Sequence, residues 1–305
     1  MRAIRIYEYR LGERLENKRI IALGLFDGVH VGHREIIKRA ANEAKRLSLP
    51  CAVFTFKRDK KLKGGVRIYS DSDRIKLIGE CGADEVILAS FEELSSLSAE
   101  DFVKDILIGE LGCAVAVSGA DFRFGRGARG DVAELSALMG AAGLSIKTVE
   151  DVLFAGVKVS SSDIKNLLLS GDVKGAARLL GKPYFVTENI RHGMGLGKEF
   201  GFPTVNTDIG EDAIELPHGV YATEIEIDGR VYPSLTNVGK CPTVGERVAH
   251  RETFILDFDR EIYGERVKIS FIDRIRAEKK FSSVEELKMQ IKLDINTAFG
   301  ERWEK

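Results

Sequence analysis

Two patterns of hydrophobic and polar residues follow one another along the chain, and they predict two domains. In the first pattern, short apolar runs alternate with segments that carry apolar side chains at helical spacing. The run Ile20–Leu23 is too uniformly apolar for a strand with one face in water, so we predict a buried strand of a parallel sheet. Arg34–Leu47 has the spacing of a helix, and Cys51–Phe56 is predicted as a second strand.

The same alternation of strands and helices continues as far as Leu180, and it predicts an α/β domain with a Rossmann-like parallel sheet. Further strands are predicted at Glu85–Ala89, Cys113–Val117 and Leu144–Val149. Capped helices are predicted at Arg74–Gly79 after the capping residues Ser70–Asp73, from Ser98, at Asp131–Ala142, from Val159 to about Leu169 and from Gly171 to Leu180. Ligands of such sheets lie beyond the carboxyl ends of the strands. The loops Gly24–His33 and Asp121–Gly130 are both predicted at this edge.

After residue 181 the pattern changes to strands without intervening helices. Tyr221–Ile227 alternates, Asp228–Gly229 predicts a two-residue hairpin turn, and a strand resumes at Arg230. Further strands are predicted at Phe254–Phe258 and Val267–Ile272. Successive hairpins indicate a small antiparallel β-barrel, and Ser282–Glu286 resembles a capping box that starts a terminal amphipathic helix. We therefore predict an α/β domain at residues 1–181 and a β-barrel domain with a terminal helix at residues 182–305.

Charge and composition narrow the classes of partner. Forty-six basic and 47 acidic residues give a net charge of −1, so there is no global electrostatic case for binding nucleic acid or an anionic membrane. No apolar run approaches the roughly 20 residues of a membrane span, and Met1–Arg5 lacks the apolar core of a signal peptide. Four scattered cysteines suit a reducing compartment. We expect a cytoplasmic protein, and self-association is left open.

The chemistry of the first domain centres on the loop Gly24–His33. Its three glycines allow the backbone to approach a ligand closely, and the helix that follows presents unpaired N–H groups that suit a phosphate. His30 and His33 are three residues apart, so both can point at the same oxygens. One alternative is a zinc site, which would need four ligands although the cysteines are scattered. The other is a pair of ordinary surface histidines, which would leave the glycines unexplained.

This loop also carries a family signature. Residues 24–33 read Gly-x-Phe-Asp-Gly-x-His-x-Gly-His, which contains the His-x-Gly-His of the nucleotidyltransferase superfamily. The longer form resembles the prokaryotic bifunctional riboflavin kinase/FMN adenylyltransferase family, also called FAD synthetases. The resemblance implies a nucleotidyltransferase fold with two catalytic histidines, His30 and His33. It also implies nucleotide or flavin contacts from Gly24, Phe26, Asp27 and Gly28.

The loop Asp121–Gly130 is similar to a second motif of the family, Gly-x-Asp-Phe-x-Phe-Gly. The similarity implies that Asp121, Phe122 and Arg129 line the site for FMN and pyrophosphate. Composition alone would favour a basic surface turn with glycines. The position of the loop after a buried strand favours the functional interpretation.

Val159–Lys165 is similar to a third motif, Ile-Ser-Ser-Thr-x-Ile-Arg, although alone it is a capped helix start. The similarity implies phosphate contacts from Ser161, Ser162 and Lys165. Ser162 replaces threonine and Lys165 replaces arginine, so a bidentate fork becomes a point charge. A further departure follows Phe56, where many members have Pro-His-Pro. Here the residues are Lys57–Lys60, and Lys57 with Arg58 could supply charge instead.

The second domain has a glycine-rich loop with one lysine, and its pattern is not a Walker A loop because Glu199 follows Lys198 and Pro203 opposes a helix. By itself it predicts either a phosphate-covering loop or a linker. It closely resembles the glycine loop of riboflavin kinases. The resemblance implies nucleotide or flavin contacts from Gly195, Gly197, Lys198, Gly201, Pro203, Asn237, Arg276 and Glu278. It also implies a catalytic base, Glu252, and magnesium ligands, Thr204 and Asn206; alone, Glu252 would be an exposed carboxylate at a strand start.

The resemblance covers nearly the whole chain and implies an enzyme of FAD biosynthesis. Such an enzyme phosphorylates riboflavin to FMN with ATP and Mg²⁺, and then adenylylates FMN to FAD with release of pyrophosphate. Two alternatives remain at this level. One is a riboflavin kinase with weak or absent adenylyltransferase activity, suggested by Lys165 and the missing Pro-His-Pro. The other is a flavin-sensing protein without catalysis, against which the five residues His30, His33, Thr204, Asn206 and Glu252 argue.

Overall fold

The computed structural model describes residues 3–57, 66–192, 201–208, 213–240 and 249–300. The chain forms two compact units, Met1–Ser161 and Ser162–Lys305. The domain boundary predicted between residues 181 and 182 lies further along the chain and stays a prediction. Each unit has the architecture that the hydrophobic pattern predicts, an α/β sheet in the first and an antiparallel barrel in the second.

Within the described residues of the first unit, six parallel strands form one sheet in the order β1-β4-β3-β2-β5-β6. They are β1 (Arg5–Glu8), β2 (Arg19–Leu23), β3 (Cys51–Phe56), β4 (Glu85–Ala89), β5 (Cys113–Gly119) and β6 (Ser145–Val149). Strands β3 and β4 follow β2 on one side, whereas β5 returns to its other side. The order of the strands therefore reverses between β2 and β5, which is where open α/β sheets form ligand crevices.

Helices connect the strands of the first unit, and two of them begin directly after the predicted capping residues Ser98 and Asp131. They are α1 (Val31–Leu47), α2 (Asp71–Glu80), α3 (Phe91–Leu94), α4 (Ala99–Asp101) continued by a π-helical stretch (Phe102–Glu110), and α5 (Val132–Ala141). The side chains of Ser70, Ser98 and Asp131 accept backbone N–H groups at the starts of α2, α4 and α5, as polar N-cap residues do. A hairpin of β7 (Leu153–Phe154) and β8 (Val157–Lys158) follows β6.

Several features of the first unit differ from the sequence-based prediction. Helix α2 begins at Asp71, three residues before the predicted Arg74, and helix α3 and the β7–β8 hairpin are not predicted. Helix α1 begins at Val31, before the predicted Arg34, because the side chain of His30 caps it. Strand β1 is not predicted at all. Three of its four residues are exposed, so it lacks the apolar pattern of the other strands. It is an edge strand that pairs with β4.

The second unit contains a closed antiparallel barrel with the strand order β10-β13-β12-β11-β14-β9 among its described residues. Helices α6 (Ser161–Ser170) and α7 (Val173–Leu180) precede β9 (Tyr184–Arg191), β10 (Thr204–Asp208), β11 (Gly219–Ile227), β12 (Arg230–Lys240), β13 (Ala249–Ile255), β14 (Arg266–Arg276) and the terminal helix α8 (Val284–Phe299). Asp228 and Gly229 have φ values of 50° and 77°, as a two-residue hairpin turn with both central residues at positive φ requires.

One predicted strand of the barrel is wrong in its bounds. Phe254–Phe258 was expected to be extended, but β13 begins at Ala249 and ends at Ile255. Asp257 has a φ of 51°, in the left-handed region, so the chain turns there. Leu256 is apolar because it is buried in a cluster with Val220, Leu235 and Ile295 of helix α8, and not because it continues the strand.

Alternate residues of β12 and β13 occupy two different environments. Ser234, Thr236 and Thr253 are fully buried, and their hydroxyls form a chain with Thr223 at separations of 2.8 to 2.9 Å. These side chains line the interior of the barrel. The opposite face carries Leu235 and other residues that pack with α8. Residues two positions from Leu235, including Asn237, therefore lie on the outer face.

Candidate active sites

The loop between β2 and α1 has an unusual backbone, and residues 26–30 of the loop are buried. Phe26, Gly28 and Val29 have φ values of 49°, 83° and 42°. A positive φ is unfavourable for a β-branched residue such as Val29, so the surrounding contacts must hold the loop in place. Phe26, Asp27 and Val29 have exposed fractions of at most 3%, which shows how closely the unit packs around them.

Hydrogen bonds to residues outside the loop hold it in place. The carbonyl of Leu25 accepts the hydroxyl of Thr55 at 2.8 Å and Nη1 of Arg74 at 3.1 Å. The carboxylate of Asp27 accepts the backbone N–H of Ile68 at 3.0 Å, and its carbonyl accepts the hydroxyl of Ser161 at 2.8 Å. Arg74 was missed by sequence reasoning. A single arginine within a predicted helix looks like a solvent-facing residue. Here the side chain of Arg74 extends from helix α2 to the end of β3 and is fully buried.

The two imidazoles lie against one another, as the spacing of His30 and His33 predicts. Their rings stack with centroids 3.6 Å apart and planes 21° apart. Nδ1 of His30 accepts the backbone N–H of His33 at 3.4 Å, which caps helix α1. The edge of Phe26 contacts His33 at 5.3 Å between centroids. Gly32 packs under the His30 ring, where a Cβ would lie 3.2 Å from its Cε1.

Burial keeps both imidazoles neutral at physiological pH. It lowers the pKa of His30 to about 4, although Asp27 and Asp121 act in the opposite direction. The pKa of His33 is lowered well below its ordinary value by burial, and then by the nearby charges of His30 and Arg74. Nδ1 of His33 is buried and has no hydrogen-bond partner within the described residues. Each neutral ring can still donate one N–H to an anionic ligand.

We expect the first unit to lose stability on acidification because of this burial. The folded pKa of His30 lies below its ordinary value of 6.5, so the unfolded chain takes up a proton first as the pH falls. The stabilisation is present above pH 6.5 and is lost towards pH 4. His30 alone should then reduce the free energy of unfolding by about 2 kcal/mol between pH 7 and pH 5. Denaturant unfolding at the two pH values measures this, and a variant with His30→Asn and His33→Asn should depend less on pH. Equal pH dependence in both proteins would contradict it.

The loop after β5 shares this edge of the sheet, as predicted. Asp121 is exposed and pairs with Lys158 at 2.6 Å, and Lys158 also pairs with Asp151 at 2.7 Å. The charges of Asp121 and Lys158 both act on His30, so the two loops face one site. Phe122 stacks on Phe124 with centroids 5.7 Å apart. The predicted flavin or pyrophosphate contacts of Asp121, Phe122 and the exposed Arg129 stay predictions.

Helix α6 begins at Ser161, so the predicted phosphate-binding segment forms a helix start, with Ser162 exposed and Lys165 partly buried. The hydroxyl of Ser161 donates to the loop carbonyl of Asp27, which gives it a role in holding the histidine loop. Gly24 packs against Phe26, where a Cβ would lie 3.0 Å from the ring. Lys57 pairs with Glu8 at 2.7 Å. Arg58 and the remaining positions of the missing Pro-His-Pro lie outside the described residues.

In the barrel, three predicted site residues lie side by side on adjacent strands. Asn206 of β10 is directly opposite Glu252 of β13, and Glu252 is directly opposite Asn237 of β12. Residues paired in this way have side chains on the same face of the sheet. Thr204 precedes Asn206 by two positions and shares that face. The structure therefore brings the predicted base and both predicted metal ligands together, although the sequence separates them by more than 40 residues.

The Glu252 carboxylate is 38% exposed and lies 3.6 Å from Nε2 of His250. It is therefore accessible to a substrate. Gly201 and Pro203 directly precede β10 and are described, and Gly201 has a φ of 86°. The described residues do not include three other predicted kinase contacts, Gly195, Gly197 and Lys198. They also do not include Cys241–Thr243, the second part of the motif that begins at Asn237.

Arg276 and Glu278 lie near the same outer face but are engaged by protein groups. Arg276 donates through Nε to both carboxylate oxygens of the buried Asp294 at 3.0 Å, and so ties β14 to helix α8. Oε2 of Glu278 lies 3.3 Å from Nδ1 of His218. Its carboxylate covers Gly239, where any side chain would collide with it. Gly239 is two positions from Asn237 on β12, so the Glu278 carboxylate lies near Asn237. The nucleotide or flavin contact of Glu278 stays a prediction.

The donor set on this face fits a magnesium ion. Thr204 and Asn206 carry hydroxyl and amide oxygens on this face of β10. Mg²⁺ prefers such oxygens and usually completes its coordination with water and substrate phosphates. No group of three or more His, Cys, Asp or Glu side chains is arranged for a metal in the part of the chain that the structure describes.

Comparisons with known proteins match both halves of the chain. A riboflavin kinase family model matches residues 180–300, and an FAD synthetase family model matches residues 13–163. The bifunctional riboflavin kinase/FMN adenylyltransferase of Bacillus subtilis (strain 168) is 36% identical over 308 residues, covering 96% of each protein. That of Escherichia coli (strain K12) is 31% identical, covering 92% of this chain and 91% of the relative.

A solved structure also matches nearly the entire chain. It is described as a macrolide-efflux protein from Streptococcus pneumoniae and is similar to this chain with a TM-score of 0.86 and 29% identity, covering 97% of this chain and 99% of that one. This likeness supports the shared fold of the two chains. Every helix in the described ranges is too short or too polar to be a candidate for a membrane span.

Proposed function

This chain belongs to the bifunctional riboflavin kinase/FMN adenylyltransferase family, and we propose that it makes FAD from riboflavin in two ATP-dependent steps. The barrel phosphorylates riboflavin to FMN, and the α/β unit transfers AMP from a second ATP to FMN. The observation that carries this assignment is the row Asn206–Glu252–Asn237, which gathers a base and hard oxygen donors on an accessible face. The stacked imidazoles supply a second, chemically different site in the other unit.

In the proposed kinase step, Glu252 accepts the proton of the riboflavin 5′-hydroxyl as that oxygen attacks the γ-phosphorus of ATP. Thr204 and Asn206 would hold Mg²⁺, which would neutralise charge on the phosphates. Asn237 and Glu278 lie on the same face and are proposed to orient the nucleotide or flavin. Phosphoryl transfer depends chiefly on positioning and charge stabilisation, so a well-ordered row of side chains suits it.

In the proposed adenylyltransferase step, the phosphate of FMN attacks the α-phosphorus of ATP and pyrophosphate leaves. The nucleophile is already an anion, so it needs neither a base nor a covalent protein intermediate. His30 and His33 are neutral and donate N–H groups to the negative charge that develops on the α-phosphate oxygens. Asp121, Phe122 and Arg129 are proposed to bind FMN and pyrophosphate, and Ser162 with Lys165 the nucleotide phosphates.

The direct test is an assay of the purified chain with riboflavin and Mg-ATP, in which FMN and FAD are resolved by chromatography. We expect both products. FMN without FAD, also when FMN is the starting substrate, would indicate the alternative of a riboflavin kinase with weak or absent adenylyltransferase activity. The absence of both products in a folded protein would favour a flavin-sensing protein. Omitting Mg²⁺ tests the proposed metal, and phosphorylation should then stop.

A substitution at Lys165 tests the third motif, because its ammonium replaces the guanidinium of the family pattern. If it contacts phosphate, Lys165→Ala should raise the Michaelis constant for ATP in FAD formation by roughly tenfold, as expected for the loss of one charged contact. Lys165→Arg should preserve or improve the reaction, since arginine restores the bidentate fork. Steady-state kinetics with FMN and ATP measure both. An unchanged rate and Michaelis constant in Lys165→Ala would reduce the segment to an ordinary helix start.

The location of the protein in the cell and its classes of partner stay proposals. Location in the cytoplasm and the lack of nucleic-acid and membrane partners rest on composition and charge. Three of the cysteines, Cys51, Cys81 and Cys113, are buried and form no disulfide among the described residues, in agreement with their scattered spacing. Burial raises the pKa of the Cys51 and Cys113 thiols to about 12.

A further inference from the structure

The imidazole of His250 lies beside the carboxylate of Glu252 on the outer face of the barrel. The two residues are two positions apart on β13, so their side chains leave the sheet on the same side. Nε2 of His250 is 3.6 Å from Oε1 of Glu252. This separation is longer than a hydrogen bond. Catalytic hydrogen bonds are often long before substrate binds.

The strands on either side of His250 place charged groups near it. Its cross-strand neighbours are Asp208 on β10 and Gly239 on β12. Asp208 pairs with Arg191 at 2.7 Å, and the carboxylate of Glu278 covers Gly239. The imidazole is 23% exposed, so it is partly buried among these groups and still accessible to solvent.

We propose that His250 is a positioning residue for Glu252. Its Nε2–H donates to Oε1 of Glu252 and directs the other oxygen, Oε2, towards the riboflavin hydroxyl. The inference rests on the proposed function, in which Glu252 is the base. A half-exposed carboxylate turns freely between orientations, and a fixed donor on one oxygen selects the orientation in which the other can react.

The proposed step balances without a further reactant. The hydroxyl oxygen forms a bond to the γ-phosphorus of ATP. The bond from that phosphorus to the bridging oxygen breaks, and its electron pair leaves on ADP. The hydroxyl proton passes to Oε2 of Glu252, while His250 keeps its own proton and remains bonded to Oε1.

Two substitutions at His250 in the full-length chain test the hydrogen bond. His250→Gln keeps an N–H donor near the position of Nε2, whereas His250→Leu removes it. In His250→Leu we expect kcat for riboflavin phosphorylation to fall about tenfold, with both Michaelis constants changed by less than about twofold. His250→Gln should retain most of the activity. Conversion of FMN to FAD and the thermal unfolding temperature serve as controls for the fold.

A double-substitution cycle tests whether His250 acts through Glu252. In a Glu252→Gln background, adding His250→Leu should change the residual kcat by less than about twofold. An unchanged kcat in His250→Leu, equal losses in the Gln and Leu variants, or additive losses in the cycle would each overturn the inference. Failure of the proposed function has a different signature: the natural protein would not phosphorylate riboflavin, or Glu252→Gln would be fully active.

Discussion

Replacing both stacked histidines, His30→Ala with His33→Ala, is expected to abolish FAD formation and to leave riboflavin phosphorylation nearly intact. Both imidazoles are neutral donors at the carboxyl edge of the sheet, where the α-phosphate of ATP is proposed to react. Loss of one donor to a developing oxyanion typically costs about 10² to 10³ in rate, so loss of two should cost about 10⁴ or more. Separate assays that start from FMN and from riboflavin measure the two steps.

The design must separate catalysis from folding, because His30 also caps α1 and is buried. A second variant with His30→Asn and His33→Asn keeps a good N-cap side chain but lacks the ring N–H groups. It should also lose FAD formation, with a smaller loss of stability. If phosphorylation fell as strongly as FAD formation in a folded variant, the assignment of the two steps to different units would be wrong.

Glu252→Gln should lower riboflavin kinase activity by about 10² to 10⁴, the usual contribution of a general base. The substitution keeps the size and shape of the side chain and removes its basicity. The riboflavin hydroxyl has a pKa far above neutrality, so removal of its proton during transfer should matter. FMN supplied directly carries no hydroxyl that must lose a proton, and its conversion to FAD should continue. The decisive comparison is therefore one variant with two starting substrates.

The barrel offers a matched control for this substitution. Glu226 on β11 is another partly exposed carboxylate, paired with Lys268 at 3.1 Å and distant along the strand from the row that contains Glu252. Glu226→Gln should leave both reactions within about twofold of the natural protein, as surface substitutions usually do. Binding of Mg-ATP should change little in Glu252→Gln, because Thr204 and Asn206 are the proposed ligands. Near-normal kinase turnover in Glu252→Gln would remove Glu252 from the mechanism, and equal loss from both substrates would indicate damage to the fold.

The sequence by itself determined the types and order of most elements, because these depend on local physical chemistry. The apolar run before Gly24, the N-caps Ser70 and Asp131, and the turn at Asp228–Gly229 all act within a few residues, and the structure agrees with each. The two-unit architecture and the membership in the family also followed from the order of these patterns and motifs. The bounds of the predicted strand Phe254–Phe258 were wrong because the apolar Leu256 packs against α8 and does not continue the strand.

Only the tertiary structure decided which of these residues meet and in what chemical state. Strand β1 is polar, and its place beside β4 depends on pairing across the sheet. The pKa of His30 falls to about 4 because the folded unit buries it, which no local pattern encodes. Asn206, Glu252 and Asn237 are neighbours because closure of the barrel sets the register of three strands. That register, which depends on the packing of the whole barrel, also placed His250 beside the proposed base.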